Sequence, residues 1–380
     1  MAVDGSGFED WLTREFYLTT GTTPKRDKLR EVVGLGKARG VFEGQQHATW
    51  VRTATGENGK LYVDLGDEDW QVIEVDAAGW RIVSDPPVKF RRSGGMLPLP
   101  LPVPGDAEQA LTLLESLIGA QEPAHFMLIV GWLVAALREG YPVAALVFDC
   151  EPGSGKTTKQ RMIRSFIDPQ VSATPGPHSS EKDLIVSAHN RWLVSADNVT
   201  EISQAMSDAY CRLITGGGMS NRKLFRDEDE HSIDIKRPLC LALIGTELQS
   251  DMAERSIVIP LAPLTEGLYL PEAELDRRLA AIQPVIMGAL LDGVVMALRR
   301  MPEVAERLAG RLPRMSDFAV WGEAAGPVFG WEEDAFFDAY IAQVNLRREE
   351  DAEDDMLCSK VFDWLCTVKG GAVEGPARPA

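Results

Sequence analysis

Residues 145–164 read ALVFDCEPGSGKTTKQRMIR and combine three local patterns. The apolar run over residues 144–148 predicts a buried strand, a glycine-rich turn follows it, and a helical pattern of apolar residues begins after Lys156. Strand, glycine turn and helix in this order are the setting of a phosphate-binding loop. The glycines let backbone N–H groups approach phosphate oxygens, and the helix points the positive end of its dipole at the same anion. The stretch therefore predicts a nucleotide-binding site.

Individual residues of this turn have separate predicted roles. Lys156 would reach the β- and γ-phosphates of ATP, and the Thr157 hydroxyl would ligate Mg²⁺. The complete pattern starts with glycine where this chain has Cys150, so the first turn of the loop departs from it. Two alternatives stay open: a surface Gly-Ser turn that happens to precede a lysine, and a catalytic rather than a buried structural role for Cys150. The residues predicted to bind the nucleotide are Gly153, Ser154, Gly155, Lys156, Thr157 and Thr158.

The composition is that of a globular protein with two or three domains. The chain has 380 residues, of which 45% are hydrophobic and 25% are charged. No apolar run looks long enough to span a membrane, and no basic-then-apolar leader begins the chain, which predicts a cytoplasmic protein without membrane contact. The net charge of −18 argues against a protein that coats DNA with its outer surface, but it allows a locally basic pore.

Patterns along the chain predict six segments. Period-two alternation over residues 49–91 indicates a small antiparallel β module whose strands contain Trp50, Trp70 and Trp80, after an amphipathic helix and a glycine- and lysine-rich stretch of uncertain order. Alternate prolines in LPLPLPVPGD predict a stiff linker. The predicted segments are a β-rich module at 1–96, the linker at 97–106, a helical collar at 107–140, an ATPase core at 141–265, a helical region at 266–368 and a disordered tail at 369–380.

Two strand ends after the phosphate loop carry candidate catalytic residues. Residues 192–196 read as a buried strand with Asp197 at its carboxyl end, where an acidic side chain can hold the Mg²⁺ of a nucleotide. The alternative for Asp197 is a helix N-cap. Residues 238–245 read as a second buried strand, and Thr246 after it could sense the γ-phosphate.

An arginine and a basic hairpin complete the candidate set. Arg255 precedes the strand over residues 256–261 and could reach the nucleotide of a neighbouring subunit, where a trans arginine stabilises transition-state charge. The alternative is a salt bridge within its own subunit. Residues 219–226 and 231–237 predict a hairpin. Its side chains Arg222, Lys223 and Arg226 would contact DNA phosphates, or would form salt bridges on a surface hairpin.

The order of the motifs resembles the ATPase module of phage and prophage primase-helicase-type proteins. These motifs are GSGKTT, LVSADN, CRLITGGG, LALIGTE and a lone arginine before a strand. These proteins are related to superfamily III helicases and the AAA+ class, and the resemblance covers about residues 108–325. It implies a ring, usually hexameric, with ATP between subunits and pore hairpins on DNA. By position it implies that Asp197 is the Walker B acid, Thr246 the sensor and Arg255 the trans arginine.

Two positions depart from that family. Many relatives have a second acid after the Walker B aspartate to orient the attacking water, where this chain has Asn198, and many have asparagine at the position of Thr246. Either change could slow hydrolysis. With Asn198 in place of the second acid, water activation would fall to Asp197, or to Glu201 if the following turn brings it close. The predicted catalytic residues are Lys156, Asp197, Asn198, Thr246 and Arg255.

These observations predict an α/β P-loop NTPase core of the AAA+ or superfamily III helicase kind, with a small β-rich N-terminal domain and a helical C-terminal region. The predicted function is an ATP-hydrolysing translocase or helicase of a phage or mobile element that uses Mg²⁺ and acts on single-stranded or forked DNA. It would act as a homo-oligomeric ring, which the family resemblance implies to be a hexamer. The alternatives are an ATP-switched initiator or loader and, less favoured, a small-molecule kinase.

Overall fold

The structure is a computed structural model of the chain. It describes residues 6–57, 59–105, 107–151, 153–172, 174–220, 232–233, 235–261, 270–346, 356–357 and 360. Residue contacts divide the chain into two compact units, residues 1–49 and residues 50–380, and each is described by itself. The predicted tail and the predicted DNA contacts Arg222, Lys223 and Arg226 lie outside the described residues.

The first unit contains two helices, α1 (Ser6–Thr20) and α2 (Arg26–Phe42). The sequence predicted α1 but left the order of the glycine- and lysine-rich stretch open, and that stretch is the helix α2. Glycine lowers helix propensity by about 1 kcal/mol per residue, so local propensity did not indicate this helix. One face of α2 still supplies an apolar contact, because Val33 is buried.

The second unit begins with the predicted antiparallel β module. Strands β2 to β5 form a four-stranded sheet in chain order, and β1 pairs with β6. Trp80 lies in a strand as predicted, and its indole Nε1 donates a hydrogen bond to Asp292 at 2.9 Å. The prediction for Trp70 was wrong: it lies outside the strands with φ of 57°, and the Arg92 guanidinium packs 3.8 Å from its ring centroid. The strands are β1 (Thr49–Trp50), β2 (Thr53–Thr55), β3 (Leu61–Asp64), β4 (Val72–Asp76), β5 (Gly79–Val83) and β6 (Lys89–Phe90).

The described residues of the proline-rich stretch lie outside the helices and strands, but several of their N–H groups are hydrogen-bonded to other parts of the chain. Leu97 N–H donates to the carbonyl of Pro169 at 2.9 Å, and Val103 N–H donates to the carbonyl of Pro284, also at 2.9 Å. Gly288 lies so close to this stretch that a Cβ there would come within 2.2 Å of the Val103 carbonyl oxygen. The stretch therefore packs along a helix of the same unit.

A four-stranded parallel sheet forms the centre of the second unit, in the order β12-β7-β11-β8. All β7 residues except Asp149 are buried, as expected for a strand covered on both faces. Because the strands are parallel, their carboxyl ends share one edge of the sheet. The remaining strands are β7 (Ala145–Cys150), β8 (Val194–Val199), β9 (Met219–Ser220), β10 (Ser232–Ile233), β11 (Leu239–Leu243) and β12 (Ser256–Leu261).

The short strands β9 and β10 pair antiparallel, with Ser232 opposite Ser220 and Ile233 opposite Met219. This pairing agrees with the two flanks of the predicted hairpin. The predicted acidic turn over residues 227–230, and the basic residues Arg222, Lys223 and Arg226 before it, belong to the residues that are not described.

Helices cover the sheet and form the C-terminal region. They are α3 (Glu108–Ile118), α4 (Pro123–Ala136), α5 (Lys156–Ile167), α6 (Glu181–Asn190), α7 (Gln204–Thr215), α8 (Ser250–Ala253), α9 (Glu272–Arg307), α10 (Ser316–Ala325), a 3₁₀ turn (Gly326–Phe329) and α11 (residues 335–346).

Helix α9 corrects the expectation that no apolar stretch reaches membrane length. Its 36 residues include an 18-residue window with mean hydropathy of 1.8, long and apolar enough to cross a membrane. In the structure, 61% of that window is buried inside the protein. Core helices of soluble proteins have the same two properties, so the helix is weak evidence for a membrane span.

The outer strand β12 is covered by a side chain from α11. The Val258 N–H donates to Gln343 Oε1 at 3.1 Å, and Gln343 Nε2 donates to the Val258 carbonyl at 2.7 Å. Gln343 thereby satisfies both backbone groups of one residue on a strand edge.

Candidate nucleotide-binding site

The predicted phosphate loop connects β7 to α5. Gly153 has φ of 86° and Gly155 has φ of 72°, both in the left-handed region that glycine enters without strain. A Cβ built on Gly153 would meet no described atom within 4 Å, so the space beside this glycine is open. Helix α5 begins at Lys156, directly after Gly155. The turn therefore has the local backbone geometry that an anion site at a helix N-terminus needs.

Cys150 is the last residue of β7 and is buried. Burial raises the pKa of its thiol to about 11. A thiol with such a pKa stays protonated at neutral pH and is a poor nucleophile. The structure therefore agrees with the structural role for Cys150 and disfavours the catalytic one.

Thr157 of α5 and Asp197 of β8 are in direct contact, although they are 40 positions apart in the chain. The Thr157 hydroxyl donates to Asp197 Oδ2 at 2.6 Å, and Asp197 is only 4% exposed. The sequence predicted both residues for the Mg²⁺ site from separate motifs, and the structure brings them into contact. A hydroxyl and a carboxylate are oxygen ligands of the type that Mg²⁺ takes, so the donor set fits that ion.

Asp197 lies within β8 rather than after its end, which corrects the predicted position. The register of β8 against β11 shifts between Leu241, opposite Ala196, and Leu243, opposite Val199. Asp197 and Asn198 occupy this β-bulge. A bulge redirects a side chain, and bulges are common beside active sites.

Asn198 has the unusual backbone conformation of the bulge, with φ of 55°. Asparagine tolerates the left-handed region better than most residues. Its N–H donates to Asp197 Oδ1 at 2.8 Å, so both carboxylate oxygens of Asp197 are engaged. The side chain of Asn198 is exposed. The residue therefore orients Asp197 through its backbone and presents its carboxamide to solvent.

Gln160 on α5 is a site residue that the sequence analysis missed. Its buried Nε2 donates to the carbonyls of Ala196 at 3.1 Å and Cys240 at 3.0 Å. It therefore ties the phosphate-loop helix to the backbone of β8, next to Asp197, and to β11. Its position one helical turn after Lys156, on the buried face of α5, is the sequence signal that could have identified it.

Thr246 follows β11 by three residues, after Leu243 pairs with Asp149 of β7. It therefore lies beyond the same edge of the sheet as the phosphate loop. Lys156, Asp197, Asn198 and Thr246 all belong to this carboxyl edge.

Arg255 belongs to the opposite edge. Its carbonyl accepts a hydrogen bond from Ala145 N–H at 2.8 Å, at the start of β7, and Ser256 pairs with Ala145. The six residues of β7 separate this point from the phosphate loop. At about 3.3 Å per residue, that separation is about 20 Å. The Arg255 side chain is only 12% exposed and pairs with Asp251 of the same chain at 2.5 Å.

Comparison with known protein families shows which family the chain belongs to. The profile of a family described as "Actinomycete integrative conjugative element replication protein" matches residues 111–326, which is more than half of the sequence. The chain belongs to this family. It is therefore a mobile-element replication protein, and the predicted resemblance to P-loop helicase-like proteins is confirmed. A phage origin stays a prediction.

Two further comparisons concern helicase-like proteins. Holliday junction branch migration complex subunit RuvB of Methanoregula boonei is 28% identical over 246 residues, which are 58% of this chain and 67% of that protein. The structure titled "SCCmec type IV Cch - active helicase" overlays with a TM-score of 0.52 at 10% identity, covering 97% of this chain and 74% of that one. This overlay supports a shared fold.

The C-terminal region of NrS-1 also overlays, with a TM-score of 0.42 at 15% identity. The overlay covers 73% of this chain and 59% of that region.

Proposed function

We propose that this replication protein is an ATP-hydrolysing motor that works as a ring on DNA during copying of its mobile element in the cytoplasm. Each nucleotide would lie between the phosphate loop of one copy and Arg255 of the next copy, at the end of the sheet opposite that copy's own phosphate loop. The ring, its hexameric state and the translocase or helicase activity are all parts of the proposal.

One observation carries the proposal. Lys156 and Arg255 lie at opposite edges of one parallel sheet, about 20 Å apart along β7. An arginine side chain reaches roughly 7 Å, about the span of two extended residues. Arg255 therefore cannot contact a nucleotide held by its own loop, and a contact to nucleotide requires a second copy in head-to-tail arrangement. Repeated head-to-tail contacts close into rings when the rotation allows.

The residues at the carboxyl edge fit the needs of phosphoryl transfer to water. Lys156 and the N–H groups of the loop would hold the β- and γ-phosphates, and Thr246 would face the γ-phosphate. Thr157 and Asp197 would hold Mg²⁺, which supplies neutralisation of phosphate charge. Asn198 would orient the attacking water with its exposed carboxamide, and Arg255 of the neighbour would stabilise the transition state.

The DNA contact is assigned to the basic hairpin. Arg222, Lys223 and Arg226 would grip the phosphate backbone inside the ring, which agrees with a chain whose overall charge of −18 disfavours DNA on its outer surface. Lys223→Ala is expected to weaken binding of a single-stranded oligonucleotide and to reduce its salt dependence, as measured by fluorescence anisotropy at several salt concentrations. Unchanged affinity and salt slope would remove the hairpin from the proposal.

The first experiment is the mass in solution, with and without a non-hydrolysable ATP analogue and a single-stranded oligonucleotide. The proposal expects a species of ring size that forms or tightens when both ligands are present. A monomer under every condition would contradict the shared site, because Arg255 would then have no nucleotide to contact.

A second candidate function is an ATP-switched initiator or loader that assembles on DNA without unwinding it. The exposed Asn198, where related motors have a second acid, favours slow hydrolysis and so favours this candidate. An assay of ATP-dependent strand separation on forked DNA distinguishes the two, since only the motor separates strands.

A further inference from the structure

Two arginines meet at one carboxylate on the edge of the sheet opposite the phosphate loop. Arg255 contacts Asp251 Oδ2 at 2.5 Å, and Arg314 contacts Asp251 Oδ1 at 2.7 Å. Arg314 lies just before α10, and its other terminal nitrogen contacts Glu254 Oε2 at 2.7 Å. Two guanidinium groups that converge on one anion are a typical arrangement for recognition of a carboxylate or a phosphate.

The two arginines differ in how firmly the chain holds them. Arg255 is 12% exposed, and its terminal nitrogen also donates to the Asp251 carbonyl at 2.6 Å and contacts Cys211 Sγ at 3.8 Å. Arg314 is 41% exposed, and the contacts described for it are to surface carboxylates alone. Exposed ion pairs are worth roughly 0–1 kcal/mol, so Arg314 exchanges its partner at little cost.

The anion at this position comes from the chain itself, and a chain's own nucleotide cannot replace it. Asp251 and Arg255 precede β12, whose first residue pairs with the first residue of β7. The phosphate loop begins at the far end of β7, about 20 Å away. An anion that displaces Asp251 from these arginines therefore has to come from another molecule.

Arg255 also has an unused donor. Its Nε is buried and has no hydrogen-bond partner among the described residues. A buried guanidinium N–H without an acceptor costs free energy, and an incoming anion would satisfy it. This observation is independent of the convergence on Asp251, and it also indicates an anion at this position.

We propose that Arg314 is a second arginine that contacts the phosphate held by a neighbouring copy, beside Arg255, and that the Asp251 carboxylate substitutes for that phosphate in the isolated chain. This inference rests on the proposed shared nucleotide site. Asp251 keeps both guanidinium groups ordered and neutralised until the phosphate of a neighbour competes for them.

The test uses complementation between variants of the full chain. Arg314→Ala removes the arginine side of the site and keeps an intact phosphate loop, whereas Lys156→Ala removes the loop and keeps both arginines. Each variant alone is expected to lose ATPase activity, by about 10-fold or more for Arg314→Ala and completely for Lys156→Ala. In an equal mixture, about a quarter of head-to-tail interfaces combine both intact halves, so activity returns to about that fraction of wild type.

Two controls separate the contact from a structural effect. Arg311→Ala removes a neighbouring exposed arginine that pairs with Asp334 and Asp338 and should leave activity unchanged. The melting temperature of Arg314→Ala should fall no further than that of Arg311→Ala, because Arg314→Ala removes exposed ion pairs alone, whereas Arg311→Ala also removes a contact 4.8 Å from the Phe337 ring centroid.

The mixing outcomes distinguish this inference from the proposed function. Full activity of Arg314→Ala alone would overturn the assignment. If Arg255→Ala is rescued by Lys156→Ala but Arg314→Ala is not, Arg314 acts within its own subunit and the inference fails while the shared site stands. If neither is rescued, both the shared site and the inference fail.

Discussion

The carboxyl ends and the amino ends of the parallel strands, called here the carboxyl edge and the amino edge, differ in whether an anion-binding group already has an anionic partner. At the carboxyl edge, the space beside Gly153 is open, and Lys156 forms no ion pair with a described residue. At the amino edge, Arg255 and Arg314 already share the carboxylate of Asp251. One edge is prepared to receive an anion, whereas the other is filled by a side chain of the same protein.

This difference teaches that the two halves of the proposed catalytic site have different resting states. The nucleotide half is preorganised by backbone conformation, by the contact between Thr157 and Asp197, and by Gln160. The arginine half is neutralised, and it needs a competing anion before it can act. A single copy would therefore bind ATP without efficient hydrolysis.

The largest expected effect comes from the carboxyl edge. Lys156→Ala should abolish measurable ATP binding, because the positive charge at the start of α5 is lost from the phosphate site. Titration with a fluorescent ATP analogue measures this, and Lys182→Ala on the exposed face of α6 is the matched control. Normal ATP binding by Lys156→Ala would mean that the nucleotide binds elsewhere, and the proposed difference between the two edges of the sheet would no longer hold.

Arg255→Ala tests the amino edge. We expect hydrolysis to fall by about 10³-fold while ATP affinity changes little, because a trans arginine stabilises the transition state. Steady-state hydrolysis and analogue titration on the same preparation check this, and a thermal melt reports on the buried contacts of Arg255. Loss of binding along with hydrolysis would show that the residue supports the fold instead.

Two substitutions at Asn198 separate backbone from side-chain effects at the carboxyl edge. Asn198→Ala forces a side chain poorly suited to φ of 55° into the left-handed region, at a cost of about 1 kcal/mol, so its melting temperature should fall. Asn198→Gly keeps that conformation without strain, and any loss of hydrolysis then reports the missing carboxamide. Equal hydrolysis by Asn198→Gly and wild type would remove the proposed water-orienting role.

The smallest effect is expected from Asp251→Asn. Neighbouring arginines lower the pKa of Asp251, Arg255 first among them, so the group is charged at neutral pH and competes with phosphate. Removing this charge should lower the protein concentration for half-maximal ATPase activity by up to about fivefold, the value of an exposed ion pair. Asp338→Asn, which alters a contact with Arg311, is the control.

An unchanged or raised half-maximal concentration in Asp251→Asn would mean that Asp251 does not hold the arginines back. The comparison between a prepared edge and a neutralised edge would then no longer hold.

Local chemistry made the carboxyl edge predictable from sequence. The glycine turn, Lys156 and Thr157 are adjacent in the chain, and the strand over Ser256–Leu261 has the predicted bounds. Asp197 was found by its place after an apolar run, but its bulge was not, because a bulge exists only relative to the partner strand β11.

Contacts between distant residues explain what the sequence did not predict. Arg52 Nε donates to Asp168 Oδ1 at 3.2 Å across 116 positions, and neither side chain is exposed to solvent. Asp168 Oδ2 also accepts from the N–H groups of Trp192 and Leu193, just before β8. No local pattern relates an arginine in the β module to the entrance of this strand. The same holds for Arg314, whose role depends on a carboxylate 63 positions earlier.

The two hydrogen bonds between Gln343 and Val258 of β12 have a consequence for protein synthesis. An uncovered strand edge can pair with other chains, and Gln343 prevents this by engaging both backbone groups of Val258. It follows the end of β12 by 82 residues. At about 5–20 residues per second, the ribosome needs roughly 4–16 s to supply it. During that interval β12 of the nascent chain has an uncovered edge that can pair with a strand of another chain.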